Sequence, residues 1–360
     1  MKKKISIIGV GKLGLCLALN LEKNGYYITG VDVSENYVNS LNKKTFKSPE
    51  PYVESYLRES KNILFTTDLS KAIKNDIIFI VVKTPSTDDW KYDHSQIDEV
   101  ISNLKSFGVQ NKRKDLIINC TTFPGYCEKI SKELIEYNYY VSYNPEFIAQ
   151  GSIIMDQINS ENVLIGESDL FAGTLISDIY KNLCKNEIKI NRMSRTEAEI
   201  CKLSINCFLT TKISFANMIG DISVRMGCDA EKILNGVGND SRIGSKYIKP
   251  GFGFGGPCFP RDNRALSKCA EEVGVDAIIS NATDKMNEFH LNYQIDYFIN
   301  SNPDKTKPVV MDYVTYKKDS ISIEESQQLK YALRLYNKGY RIIIKDEREE
   351  VKSQIKNFFI

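Results

Sequence analysis

Ile5-Ser6-Ile7-Ile8-Gly9-Val10-Gly11-Lys12-Leu13-Gly14 is a short apolar run that ends in a GxGxxG turn and opens a helical pattern over residues 13–23. Strand, glycine turn and helix in that order make the start of a nucleotide-binding βαβ unit. Gly9 permits the tight turn, Gly11 lets the backbone approach a pyrophosphate, and Gly14 lets helix and strand pack closely. The helix N-terminus, with Lys12 and Leu13 in its first turn, faces the negative charge. Residues 27–33 read as the next strand. Asp32 at its end lies about twenty residues on, where a carboxylate bonds the ribose 2′-hydroxyl and favours NAD over NADP. The bland alternative is a glycine-rich turn in a domain that has lost its cofactor.

Working outward, residues 63–66, 77–82, 116–120 and 139–142 are further strand-like runs separated by helical patterns. That alternation predicts an α/β fold, a Rossmann-like parallel sheet covered on both faces, over residues 1–190. Residues 196–226 then read as one long helix, followed by helical patterns at 230–237 and 264–273. They predict a central helical domain over 191–300, whose long helix is a natural dimerisation element. Residues 300–307 read as a linker. Residues 308–313 and 340–345 resemble strands around a helix at 324–338, with Gly339 as its C-cap. This predicts a partial Rossmann-like βαβ domain over 301–360, short of its later strands.

With 360 residues, 42% hydrophobic and 26% charged, the chain suits a soluble protein of two or three domains. A formal net charge of +2 gives no global pull towards nucleic acid or membrane. No apolar run approaches the roughly 18 residues that span a bilayer. Met1-Lys2-Lys3-Lys4 reads as the basic edge of the first strand and not as a signal peptide, because Gly9 and Lys12 interrupt the apolar run. Nine cysteines, odd in number and without a CxxC, argue for reduced thiols in a cytoplasmic setting. Two histidines, His94 and His290, argue against a histidine-based metal site, and no metal is expected.

The densest chemical signal is Lys249-Pro250-Gly251-Phe252-Gly253-Phe254-Gly255-Gly256-Pro257-Cys258-Phe259-Pro260-Arg261-Asp262. Its glycines make a loop able to wrap closely around a ligand. Cys258, with Arg261 beside it, sits where cationic surroundings favour a thiolate. A thiolate adds to an aldehyde carbonyl and forms a covalent intermediate. Taken alone, Cys258 reads equally as a small buried residue in a turn. On a chain with an NAD site it suggests an alcohol oxidised to an aldehyde, trapped by sulfur, then oxidised again.

This stretch resembles the GFGGxCxPKD nucleophile loop of the UDP-glucose/GDP-mannose dehydrogenase family, and the resemblance extends over residues 1–345. Thr84-Pro85, Thr121-Thr122-Phe123-Pro124-Gly125, Asn144-Pro145-Glu146-Phe147-Ile148-Ala149-Gln150-Gly151 and Ala198-Glu199-Ile200-Cys201-Lys202-Leu203 through Asn206 match further family segments. The resemblance implies Cys258 as nucleophile, with Lys202 and Asn206, four apart on one helix face, holding the reacting oxygen. It implies that Asp262 and Thr122 position a water and that Glu146 serves as acid/base or helps hold that water. It places the sugar nucleotide along Glu146, Phe147, Ile148, Ala149 and Gln150, along Tyr247, Ile248, Lys249, Pro250 and Gly251, and at Phe254 and Gly255. Lys317 is a candidate nucleotide contact. Thr84, Pro85, Thr122 and Arg261 fall near the cofactor. Arg242, in Asp240-Ser241-Arg242-Ile243-Gly244, would reach a partner's substrate in a homodimer. The bland readings are a solvated helix lysine at Lys202, a helix-capping acid at Glu146, and a loop ion pair between Arg242 and Asp240.

The chain also departs from the family. Gln150 replaces a glutamate, Pro257 stands before the cysteine, Arg261 replaces a lysine, and Glu324 occupies the place of an arginine. The resemblance implies a four-electron oxidation of a nucleotide-sugar C6 alcohol to the uronic acid, UDP-glucose to UDP-glucuronate first, for polysaccharide precursors. GDP-mannose or a UDP-N-acetylhexosamine is the alternative substrate. Two other classes stay open: a two-electron β-hydroxyacid-type dehydrogenase that needs no thiol, and a non-catalytic sugar-nucleotide-binding protein.

Overall fold

The computed structural model describes residues 3–148, 150–356 and 358. They form two compact units, divided between Lys202 and Leu203.

The first unit is built on eight strands: β1 (Lys4–Ile8), β2 (Tyr27–Val31), β3 (Ile63–Thr66), β4 (Ile77–Ile80), β5 (Lys114–Ile118), β6 (Tyr139–Tyr143), β7 (Asn162–Gly166) and β8 (Lys189–Met193). They lie in the order β3-β2-β1-β4-β5-β6-β7-β8. All neighbours run parallel except β6 and β7. Helices α1 (Lys12–Lys23), α2 (Glu35–Asn42), α3 (Val53–Glu59), α4 (Ser95–Ser106), α5 (Tyr126–Leu134), α6 (Ile153–Ile158) and α7 (Leu170–Leu183) connect them. Ile5, Ile7, Phe79 and Ile117 face one core with α1, α2, α3, α6 and α7; Ile8, Ile78, Ile80, Leu116 and Ile118 face the other with α4 and α5. A sheet buried on both faces needs continuous apolar strands, which is why these runs do not alternate.

This order has a functional consequence. The glycine turn follows β1, Asp32 follows β2, Thr84-Pro85 follows β4, Thr121-Thr122 follows β5, and Asn144-Pro145-Glu146 follows β6. Every one of these segments leaves the carboxyl end of a parallel strand, the edge where open α/β sheets bind ligands.

The 31-residue helix α8 (Arg195–Arg225) gives its residues 195–202 to the first unit and the rest to the second. The second unit adds α9 (Ala230–Asn239), α10 (Phe259–Glu272), α11 (Ile278–Ser301), β9 (Val309–Met311), α12 (Gln327–Asn337), β10 (Ile342–Ile344) and α13 (Glu349–Ile355). β9 and β10 pair in parallel around α12. So small a βαβ unit cannot close a core alone; Val309, Met311, Leu329 and Leu335 close theirs on Leu291 and Ile295 of α11.

The sequence reading differs at several elements. β7 and β8 escape it; every residue of β8 is exposed or only half-buried, so it carries no continuous apolar run. Helix α11 escapes too, because Ser280, Thr283, Asn287 and His290 are buried among its apolar residues and break the stripe. Helix α10 begins at Phe259 instead of residue 264, with Pro260 tolerated in the first turn. Among the described residues, no helix is long and apolar enough to cross a membrane.

Candidate functional site

In the first unit, the glycine turn has the shape of a phosphate cradle. Gly9 has φ 91°, and a side chain there would overlap the Val81 carbonyl. A side chain on Gly14 would overlap the Gly9 carbonyl, whereas none of the protein lies within 4 Å of where one would project from Gly11. Two glycines are thus required by the protein's own packing, and the third leaves a bare backbone face at the N-terminus of α1. That geometry fits a dinucleotide pyrophosphate. Tyr37 donates to the Val10 carbonyl (2.8 Å) and steadies the turn. Asp32 is half-buried, with Oδ1 accepting from the Ser34 amide (3.1 Å). Thr84 is buried and Pro85 exposed.

Thr122 is fully buried and donates to Glu199 of α8 (2.7 Å). The same carboxyl group accepts from the Gly125 amide (2.7 Å) and the Cys127 amide (2.9 Å), which opens α5. Burial pushes the Glu199 carboxyl above the usual carboxylate range, although these donors pull the other way. The turn is fixed from its other side by His94. Its ring stacks on Tyr126 with centroids 3.8 Å apart, and its Nε2 accepts from the Phe123 amide (3.2 Å).

Burial lowers the His94 pKa from 6.5 to about 4, with Lys129 adding to the shift and Asp98 and Asp93 opposing it. The unfolded chain therefore binds a proton that the folded chain does not between those values. Stability held above pH 6.5 should fall as pH drops towards 4, by about 2 kcal/mol between pH 7 and pH 5. Urea unfolding of wild type and His94→Gln across that range checks this; equal pH slopes in the two would refute it.

The segment after β6 runs without a helix at Glu146, so this residue caps nothing. Tyr180 of α7 donates to its Oε1 (3.1 Å). Burial raises the Glu146 carboxyl above the usual range, against that bond and the nearby Lys202 charge. Lys202 donates to the Glu146 carbonyl (2.6 Å), and its Nζ lies 4.1 Å from the Phe147 ring centroid. It is buried and engaged, not a solvated helix lysine. Phe147, Ile148 and Gln150 are half-buried, and Ala149 lies outside the described residues. The buried Glu50 fastens the end of this segment, both of its carboxyl oxygens accepting from the Gly151 amide (2.8 and 3.0 Å).

In the second unit, Cys258 is exposed at the N-terminal end of α10. The helix dipole favours negative charge at that position. One turn on, the fully buried Asp262 accepts from Asn206 of α8 (2.6 Å) and from Arg261 Nε (2.9 Å). The glycines before Cys258 also serve the protein's own packing. Side chains on Gly253, Gly255 and Gly256 would overlap Asn287, the Glu325 carbonyl and the Tyr316 ring. They allow the loop to pack against the protein itself, and of the four glycines only Gly251 faces open space.

Ile248 and Phe254 are buried, whereas Tyr247 and Lys249 are exposed and Pro250 half-buried. Tyr247 has φ 63°. Lys317 is exposed. Arg242 pairs with Asp240 through Nε (3.0 Å) and Nη2 (2.7 Å), yet its side chain remains 87% exposed.

Comparison with known proteins places this architecture. The NAD-binding domain of the UDP-glucose/GDP-mannose dehydrogenase family matches residues 3–184, and the central domain of the same family matches residues 196–289. The chain belongs to that family. NAD is the cofactor of its first domain, in agreement with the open face at Gly11. It is 34% identical over 296 residues to the UDP-glucose 6-dehydrogenase TuaD of Bacillus subtilis, across 79% of this chain but 63% of TuaD. The GDP-mannose 6-dehydrogenase of Pseudomonas aeruginosa is 29% identical across 96% of this chain and 82% of its own length. The solved UDP-glucose dehydrogenase of Pyrobaculum islandicum superposes with a TM-score of 0.89 at 26% identity, covering 99% of this chain and 85% of that one.

Four residues of this UDP-glucose/GDP-mannose dehydrogenase family member escaped the sequence reading of the site: Glu50, His94, Tyr180 and Glu199. Each supports a predicted residue or its segment from a distant point in the chain. Only Glu199 lay inside a quoted motif, three residues before Lys202, where its acidic type at a helical spacing was the available signal.

Proposed function

We propose that this family member oxidises the C6 alcohol of a nucleotide sugar to a carboxylate, with UDP-glucose as first substrate and Cys258 as nucleophile. The observation that carries this reading is an exposed cysteine at a helix N-terminus with the buried Asn206–Asp262 pair one turn behind it. NAD, when bound, supplies the hydride acceptor, and two are needed per sugar.

In the first oxidation the alcohol loses a proton and a hydride to become an aldehyde. Cys258 sulfur adds to the carbonyl carbon, and the oxygen takes a proton, giving a thiohemiacetal. Loss of that proton and a second hydride leaves a thioester. Water then cleaves the C–S bond, releasing the uronate and returning the thiol. Lys202 and Asn206 stabilise the oxygen as it gains charge. Glu146, raised by burial, exchanges protons with the water, and Asp262 and Thr122 orient it. We assign residues 1–190 to the cofactor, 191–300 to the thiol chemistry and dimerisation, and 301–360, with Lys317, to the nucleotide. Phe147, Ile148, Ala149, Gln150, Tyr247 to Gly251, Phe254 and Gly255 are the proposed sugar-nucleotide contacts, the buried ones through their backbone.

NADH formation with UDP-glucose, GDP-mannose and two UDP-N-acetylhexosamines tests the reading. Two NADH per sugar from one of them is the expected result. No NADH from any of the four, despite measurable binding, would sink the enzyme and leave a sugar-nucleotide-binding protein. GDP-mannose is the second candidate, favoured by the match across 96% of this chain.

A homodimer is part of the proposal. Phe208, Phe215, Met218 and Ile222 form an exposed apolar stripe along α8 at helical spacing, Phe208 67% exposed, and Met226 just past the end of the helix is 72% exposed. Association along it would bring Arg242 to a partner. Light scattering should give twice the chain mass for wild type and a monomer for Phe215→Glu/Ile222→Glu; a monomeric wild type would exclude the dimer.

A further inference from the structure

The peptide of Gly251 is held by side chains from two helices of the second unit. Its N–H donates to Asn217 Oδ1 (2.9 Å), and its carbonyl accepts from His290 Nε2 (2.6 Å) and Gln294 Nε2 (3.1 Å). Asn217 and Asp221 lie four apart on α8, and His290 and Gln294 four apart on α11, so each pair shares a helix face. His290 is buried, and its Nδ1 lies 2.9 Å from both Asp221 oxygens. A carbonyl oxygen only accepts, so Nε2 carries a hydrogen, and the ring is held from its other side by the Asp221 carboxyl group. Gly251 itself is exposed, with open space where a side chain would project. Its inner polar groups are thus all engaged, and its outer face is bare.

We infer that Asp221 and His290 are positioning residues that fix the Gly251 peptide, so that the open face of residues 247–251 is preorganised for the sugar nucleotide. This rests on the proposed assignment of those residues to substrate binding. A loop fixed before binding does not lose its freedom on binding, so the benefit appears in affinity and not in the chemical step. Asp221 acts one bond further out: it sets the ring orientation of His290, which holds the carbonyl.

The test combines hydrogen exchange of residues 251–254 with steady-state kinetics of the full chain for His290→Leu, His290→Asn and His290→Gln, using whichever of the four nucleotide sugars turns over best. Leucine and asparagine should speed exchange in the loop and raise KM for the sugar roughly tenfold, with kcat within about twofold and NAD affinity unchanged. Glutamine, whose amide reaches the place of Nε2, should restore both. Should His290→Leu not fold, the asparagine–glutamine comparison decides: asparagine impaired and glutamine near wild type supports the inference, and equal behaviour overturns it. Unchanged exchange in the leucine and asparagine variants overturns the clamp. Faster exchange with unchanged KM leaves the clamp standing and overturns its role in substrate positioning.

Discussion

Cys258→Ser is expected to lower steady-state kcat about a thousandfold while NAD affinity stays at the wild-type value. A hydroxyl at the N-terminus of α10 lacks the acidity of a thiol, and an ester formed there would be a poor substitute for the proposed thioester. The first oxidation needs no sulfur, so the variant should still release about one NADH per active site in a single turnover if the aldehyde is retained. The measurement is a rapid-mixing NADH trace followed by steady turnover. Turnover kept within tenfold of wild type would show that sulfur takes no part, and would leave the two-electron dehydrogenase as the reading.

The second large effect should come from a residue outside the chemistry. Glu199→Ala removes the common acceptor of Thr122, Gly125 and Cys127 from a fully buried position. It leaves three donors without this partner and a small cavity, a loss of roughly 3–5 kcal/mol. Glu199→Gln keeps one accepting oxygen but turns an amide N–H₂ towards donors, so a smaller loss of roughly 1–3 kcal/mol is expected. Urea and thermal unfolding of the two variants measure this. An unfolding midpoint for Glu199→Ala equal to wild type would refute the role of this carboxyl group as the anchor of the Thr122 turn. The two units need not unfold together, so the transition assigned must be that of residues 1–202.

How far the sequence can be read depends on how far apart in the chain the interacting groups lie. The glycine turn is readable because its constraints are local: Gly14 meets Gly9 five residues away, and both meet strands that announce themselves as apolar runs. Asp32 is readable because the length of one βα unit sets its offset. The supporting residues have their partners far away in the chain, and only Glu199 lay inside a motif. Glu199 meets Thr122 across 77 residues, Glu50 meets Gly151 across 101, Tyr180 meets Glu146 across 34, and His290 meets Gly251 across 39. A buried acid or histidine in a helix looks the same as a solvated one until its partner is brought beside it. The same holds for α11, whose buried face carries Asn287 and His290 and so shows no apolar stripe.

Residue order alone therefore determines the alternation of strands and helices, the cofactor turn, the choice of an acid at Asp32, and the presence of a cysteine in a glycine loop. Residues near in sequence set all of these, through backbone conformation and side-chain period. The tertiary structure decides what each of those groups is bonded to. It gives Lys202 the Glu146 carbonyl, Asp262 the Asn206 amide, and Thr122 the Glu199 carboxyl. It also shows that most of the glycines before Cys258 make room for Asn287, Glu325 and Tyr316. Hydrogen bonding and burial act through space over a few ångströms, and only the folded chain sets those distances.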